Sequence, residues 1–300
     1  MHVRTRKTAL TEGLTAGVLF GTAAIFVRLV EHLDSLSIVF WRLVIACVAL
    51  VVTSVVLQRT SEFGLVKKKV KELLVLSVFI GLHFVFFTAS LKDTTILNAT
   101  VLVSTVPFFS MLVSILFFKL MPTRFALVGL AISFIGVCVI ALGETSLFKP
   151  SGPGISQSLR GDLEAVAAAL AEVVYLNYGR KVRSQMNILS IMIPIYAFTA
   201  FVIGIVSIPA GNPAFSLLSF PSSILPLLGL GLLPTAIAHT LYFSSLSNLK
   251  SFETATMSLL EPVGATILGI AVFQEIPAPI FVAGAGLTLA GIFFTMKNEY

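Results

Sequence analysis

Apolar residues fall in ten long runs, at approximately 11–30, 35–57, 72–91, 95–118, 124–142, 162–179, 186–208, 222–247, 252–274 and 277–296. Short polar or charged stretches separate them. Each run is near the ~20 residues that an α-helix needs to cross a bilayer. The alternation of apolar and polar positions expected of a barrel strand is not seen. In hydrocarbon, backbone N–H and C=O groups need internal partners, so runs of this kind fold as helices. The pattern predicts an all-α integral membrane protein with ten transmembrane helices.

Composition sharpens this reading. Hydrophobic residues make up 57% of the chain and charged residues 11%, and the mean hydropathy is +1.00. A water-soluble domain carries about a quarter of its residues charged, so most of this surface faces lipid. The net charge of +6 invites a nucleic-acid partner, but the positions of the charges exclude it. With the N-terminus placed in the cytoplasm and loops assigned alternately, 15 of the 20 basic residues fall on the cytoplasmic side. They are Arg4, Arg6, Lys7, Arg59, Lys67, Lys68, Lys69, Lys71, Lys119, Arg124, Arg180, Lys181, Arg183, Lys250 and Lys297. Only Arg28, Lys92, Lys149 and Arg160 fall outside, and Arg42 lies within a helix. This split obeys the positive-inside rule and predicts a multi-pass protein of the cell membrane with both termini cytoplasmic. The basic residues ahead of the first run resemble a signal peptide, but that run is too long and further spans follow. Cys47 and Cys138 both sit in apolar runs, so neither a disulfide nor a metal site is expected.

Residues Gly143–Gly161, containing Ser151-Gly152-Pro153-Gly154, have the composition of a flexible external linker. It separates a first five-helix repeat at 1–142 from a second at 162–300. Shifting the chain by 155 positions pairs Pro107 with Pro262, Pro122 with Pro277, Gly129 with Gly284 and Gly136 with Gly291. Prolines and glycines set backbone shape, so these pairs suggest a repeat. Five helices is an odd number, so the second repeat enters the membrane inverted. Inverted repeats recur in secondary transporters, with the site between the halves near the midplane.

Four stretches together resemble the drug/metabolite transporter superfamily, in its EamA-type ten-helix branch. They are Gly13-xxx-Gly17-xxx-Gly21, Phe40-Trp41-Arg42, the run from Pro107 through Gly129 to Gly136, and Leu259-Leu260-Glu261-Pro262 followed by Glu275, Gly284 and Gly291. The family pattern has an acid thirteen residues after the helix proline. Glu275 supplies it in the second half, whereas the first half has Leu120 there. The resemblance implies gradient-linked or facilitated movement of amino acids and related metabolites.

Ionisable groups at mid-membrane are costly and are functional candidates by default. Glu172 shares a small-residue face with Ala165, Ala168, Ala169 and Tyr175, and can bind a proton or a substrate amine; the plainer reading is a protonated packing residue. Glu261 precedes Pro262, in a stripe with Thr254 and Ser258; a kinked helix with an adjacent acid suits a gated site. His83 and His239 occupy nearly equivalent repeat positions and titrate in the right range to relay protons, unless they only tie helices together. His239 shares its face with Thr235 and Tyr242. Arg42 can bind a carboxylate or neutralise Glu172 or Glu261, or else snorkel outward with Trp41 as an interface anchor. Asn98 and Ser104 lie on the fourth predicted helix as pore lining or as interhelical hydrogen-bonders. Tyr175 and Tyr242 can line a cavity, and Pro107 and Pro262 are expected to kink their helices.

These residues predict a carrier, an exporter of amino acids, amines or similar metabolites, with protons as a candidate second cargo. Its partners are a small-molecule substrate and the lipid bilayer, with no cofactor, metal or nucleic acid. It acts as a monomer or homodimer. A multidrug or cation efflux carrier of the same fold is the runner-up. A lipid-modifying membrane enzyme is a third reading, weakened because the sequence shows no nucleophile–base grouping and no phosphate loop.

Overall fold

A computed structural model describes residues 5–58, 63–94, 96–147, 159–207, 221–273 and 279–297. Among these the chain is mostly helical and contains no strand. In order the helices are α1 (Arg6–Phe20), α2 (Thr22–Leu29), α3 (Ser35–Val56), α4 (Phe63–Lys68), α5 (Val70–Asp93), α6 (Ile96–Val103), α7 (Val106–Phe118) and α8 (Arg124–Leu147). Then come α9 (Leu159–Arg183), α10 (Ile188–Ser207), α11 (Ile224–Leu230), α12 (Thr240–Ser245), α13 (Ser251–Met257), α14 (Glu261–Phe273) and α15 (Ile280–Met296).

Among the described residues, seven stretches are long and apolar enough to cross a membrane: Arg6–Leu29, Ser35–Val56, Val70–Asp93, Ala99–Phe118, Ile188–Ser207, Pro221–Ser245 and Ser251–Val272. The 22 residues of α3 alone make roughly 33 Å of helix, against a hydrocarbon core of about 30 Å. The molecule is therefore a multi-pass membrane protein. Three further predicted spans fall short for identifiable reasons. The apolar part of α8 (Arg124–Ile140) and α15 are shorter apolar helices. The 25-residue α9 carries Asp162 in its first turn, Glu172 near its middle and Arg180, Lys181 and Arg183 in its last turn. Acid at the start and base at the end suit the helix dipole, so these charges favour the helix even as they lower its hydropathy.

Several predicted helices are broken. The first divides at Gly21 and the fourth at Ser104-Thr105, with Pro107 in the first turn of α7. The ninth passes through a single 3-10 turn, Ser258–Leu260, immediately before Glu261 and Pro262. In the eighth, Gly231–His239 winds as a π-helix around Pro234 and joins α11 to α12. Proline has no N–H for the carbonyl four residues back, which explains a break at that point. The predicted linker is also partly helical, since α8 continues to Leu147 and α9 begins at Leu159. Ser151–Gly154, Glu275 and Pro277 lie outside the described residues, as does the side chain of Asn98.

The packing is reciprocal between the two parts of the chain. The longest seams are α8 on α15 and α5 on α9. The α3 helix lies on α10 and on the π segment; α5 lies on α10; α7 lies on α13; and α1 lies on α12 and α14. At the α8–α15 seam backbones touch. A side chain at Gly136 would meet Thr288 N at 2.5 Å, and one at Gly284 would meet Gly136 O at 2.9 Å. Gly129 and Gly291 abut in the same way, and Ser133 Oγ lies 3.4 Å from Thr288 O midway along. Small residues permit such close approach in a bilayer, where packing rather than hydrophobicity drives helix association.

Candidate functional site

Polar side chains gather where α2, α3, α5, α9, the π segment and the start of α14 converge. A cavity of about 30 Å³ there is bounded by Arg42, His83, Glu172, His239 and Glu261, with Ser258 beside them and Phe20, Ala23, Phe84, Phe87, Val103 and Pro234 closing the walls. That volume holds one or two waters and is too small for an amino acid. Arg42 is 2% exposed and Glu172 4% exposed. All five ionisable candidates from the sequence thus meet at one place.

Arg42 lies two turns into α3 and points inward, so it does not snorkel. Its Nε donates to Thr235 Oγ1 at 3.0 Å, and its guanidinium carbon sits 4.0 Å from the centre of the Phe84 ring. Burying a lone cation costs several kcal/mol, which acids nearby offset. Glu261 is the acid acting most directly on it, and Glu261 in turn faces Glu172 and Arg42. A guanidinium and two carboxyl groups in one enclosure suit a ligand that carries both an acid and an amine.

His83 Nδ1 lies 3.2 Å from Ala168 O and 3.5 Å from Glu172 Oε2. A carbonyl only accepts, so Nδ1 carries a proton, and in the neutral ring Nε2 is left as an acceptor. His83 stacks on Phe87 at 5.9 Å. His239 stands edge-on to Phe84 at 4.7 Å and to His83 at 6.0 Å. Its Nδ1 is buried without a hydrogen bond to any of the described residues. A buried, unpaired imidazole nitrogen beside a cavity is a ready ligand or proton acceptor.

The remaining predicted residues take other places. Tyr242 is fully buried behind the cavity, edge-on to Phe20 at 5.1 Å, with Glu172 and Ser258 as its polar neighbours. Tyr175 packs on Phe243 at 4.9 Å and points its hydroxyl at Met192 Sδ, 3.6 Å away, so it does not line the cavity. Ser104 bonds back to Thr100 O at 2.8 Å within its own helix. Trp41 is half-buried against Phe40. Pro107 is buried at the start of α7, and Pro262 follows Glu261 at the start of α14.

Sequence reasoning missed Phe20, Ala23, Val103 and Pro234 as walls of the site. Apolar wall residues give no signal against an apolar chain. Pro234 did carry one, because a proline followed by threonine four residues ahead of His239 marks a local departure from α-helix.

The fold and the buried cavity define a polytopic membrane protein with a polar chamber among its helices. The model of the EamA-like transporter family matches residues 8–142 and again 159–297, and the chain belongs to that family. It is 25% identical over 301 residues to an uncharacterized transporter of Archaeoglobus fulgidus, covering 98% of this chain and 99% of that one. It is 29% identical over 226 residues to the uncharacterized transporter YdfC of Bacillus subtilis, covering 72% of this chain and 68% of the relative. A crystal structure of a protein superposes with a TM-score of 0.72 at 17% identity, over 97% of this chain and 98% of that one. At that identity the likeness speaks to the fold alone.

Proposed function

We propose that the protein is a secondary carrier that exports amino acids or related amines by alternating access between two inverted five-helix halves. The observation that carries this reading is the cavity holding Arg42, Glu172 and Glu261, contributed by both halves of the chain. A substrate carboxylate would pair with the guanidinium, and a substrate ammonium, or a proton, with the two acids. His83 and His239 would take part in proton exchange, and Tyr242 would back Glu172 from behind.

The inverted repeat is supported by the packing. Exchanging the halves by the 155-residue offset turns the Gly129–Gly291 contact into Gly284–Gly136, and Ser133 into Thr288. The same exchange turns α5 on α9 into the α1–α12 seam, and leaves α3 on α10 unchanged. A two-fold axis through the Ser133–Thr288 contact accounts for all of these. Because α8 and α15 cross it antiparallel, the axis lies in the membrane plane. On this reading α8, α9 and α15 are also spans, completing ten. The charge split supports a cell-membrane location with both termini in the cytoplasm.

Proteoliposomes containing the purified protein test the function. Amino acids and their decarboxylated amines are offered with and without a pH gradient. At least one amino acid should move, faster with the gradient. An amine carried as well as its parent amino acid would instead favour the cation carrier. That second reading is less supported, because the Phe84 face that would receive a cation is already covered by Arg42. Wild-type rates from the Glu172→Gln, Glu261→Gln double variant would sink the role of the acids.

A further inference from the structure

The π segment does more than bend a helix. Pro234 cannot close the α-helical bond to the Leu230 carbonyl. The Thr235 hydroxyl reaches that carbonyl instead, with Oγ1 donating at 2.6 Å. A hydroxyl has one proton. With it committed to Leu230, Thr235 Oγ1 presents only lone pairs to the other side. Arg42 Nε, which can only donate, lies there at 3.0 Å. The direction of the chain is therefore settled: Arg42 Nε–H to Thr235 Oγ1, and Thr235 O–H to Leu230 O. Both side chains are buried. The Thr235 peptide is pinned in addition by Tyr196, whose hydroxyl donates to Thr235 O at 3.0 Å. Close approach of α3 is allowed by Gly231, where a Cβ would fall 2.5 Å from Ile45 Cγ2 and 3.2 Å from Arg42 O.

We propose that Thr235 is a positioning residue for Arg42. Made a pure acceptor by the gap at Pro234, it holds the guanidinium by its Nε edge against Phe84, so that the two terminal amino groups face the cavity as a fork for a carboxylate. Those amino groups make no hydrogen bond to the described residues, which leaves them for a ligand. The proposal rests on the transport reading above, and it adds that carboxylate recognition depends on a residue which itself touches no substrate.

The test compares Thr235→Val, which keeps the shape and removes the acceptor, with Thr235→Ser, which keeps the hydroxyl. In proteoliposomes Thr235→Val should raise KM for a transported amino acid about tenfold, the usual scale for losing a bond to a charged group. KM for the matching amine, measured at saturating gradient, should stay within about twofold, and Thr235→Ser should restore the amino-acid value. Combined with Arg42→Lys, Thr235→Val should add little further, because both act on one interaction. A second readout needs no transport. In detergent micelles, nitrogen-15 NMR should show the Arg42 Nε–H protected from solvent exchange in wild type and in Thr235→Ser, and unprotected in Thr235→Val. An unprotected Nε–H in wild type, equal loss of rate for amino acid and amine, or no rescue by serine overturns the proposal. If no amino acid is carried but the Nε–H pattern holds, the transport reading fails and the positioning of Arg42 stands.

Discussion

Each charge in the cavity is set against a specific neighbour, and this makes single substitutions informative. Arg42 has one directional partner, Thr235, one ring face, Phe84, and one acid in range, Glu261. Replacing it by Met removes the only buried cation among the groups that bound the cavity, so it should abolish carboxylate transport. It should change thermal stability by only about 1–2 kcal/mol in either direction, since apolar replacements of buried ions are often tolerated. Unfolding in detergent checks the second point and proteoliposome flux the first. Glu172→Gln keeps the volume and the hydrogen-bonding oxygen but removes the proton-binding group. Expected is retained folding with flux that no longer responds to a pH gradient, read by comparing rates with and without one. Residue types alone made this cluster legible: ionisable groups in apolar runs are few, and Arg42, His83, Glu172, His239 and Glu261 were all visible as such. What the sequence could not rank was direction. Tyr175 and Tyr242 each follow an ionisable candidate, Glu172 and His239, by three positions and look equally apt, yet one points at Met192 and the other has Glu172 as a neighbour.

Helices carry the next level of specificity, and here glycine pattern and apolar period tell different amounts. The period places the ten apolar runs, but it is blind to how a helix is wound. An α-helix, a 3-10 turn and a π segment bury similar faces, so the 3-10 turn at Ser258–Leu260 and the π segment at Gly231–His239 leave little trace in hydropathy. The matched glycines were more telling, because at the α8–α15 seam they are required by contact. Gly136→Val would put carbon against the Thr288 backbone at 2.5 Å, and neither backbone can yield without separating the helices. It should cost about 1–3 kcal/mol or more, as overpacking does, and lower the melting temperature in detergent. Gly286 is the internal control. It lies on the same α15, yet a Cβ there meets nothing within 4 Å. Gly286→Ala should be neutral or stabilising by up to about 1 kcal/mol through helix propensity. If both variants behaved alike, the seam would not be the tight contact described.

At the scale of the molecule the two ends of the bundle are closed by different means. At the end bearing the chain termini, Arg6 donates to Glu253 at 2.7 Å and to Met296 O at 3.3 Å, tying α1, α13 and α15. At the opposite end Arg160 meets Asp93 at 3.2 Å and Thr94 donates to Asp162 at 2.8 Å, tying α9 to α5. Partly exposed pairs of this kind contribute about 1 kcal/mol at most, roughly a factor of five in an equilibrium. Glu253→Gln should therefore shift the carrier towards opening at the terminal end. With Cys47 and Cys138 replaced by Ala, a cysteine placed at Ala23 in the cavity should then react a few times faster with an impermeant thiol reagent applied from that side, and no faster from the other. Loops were the least legible part of this layout, because a basic loop reads as cytoplasmic whether or not its side chains also latch the bundle.

The small size of the cavity has a consequence for any affinity measured on this protein. About 30 Å³ cannot admit an amino acid, so binding needs a form more open than the one described. An observed dissociation constant is then the intrinsic one divided by the fraction of molecules that are open. Substitutions at Arg6 or Glu253, far from any ligand atom, should tighten apparent binding simply by enlarging that fraction. Potency against this transporter is thus partly a property of its latches, and a tighter binder need not be one that touches its cargo better.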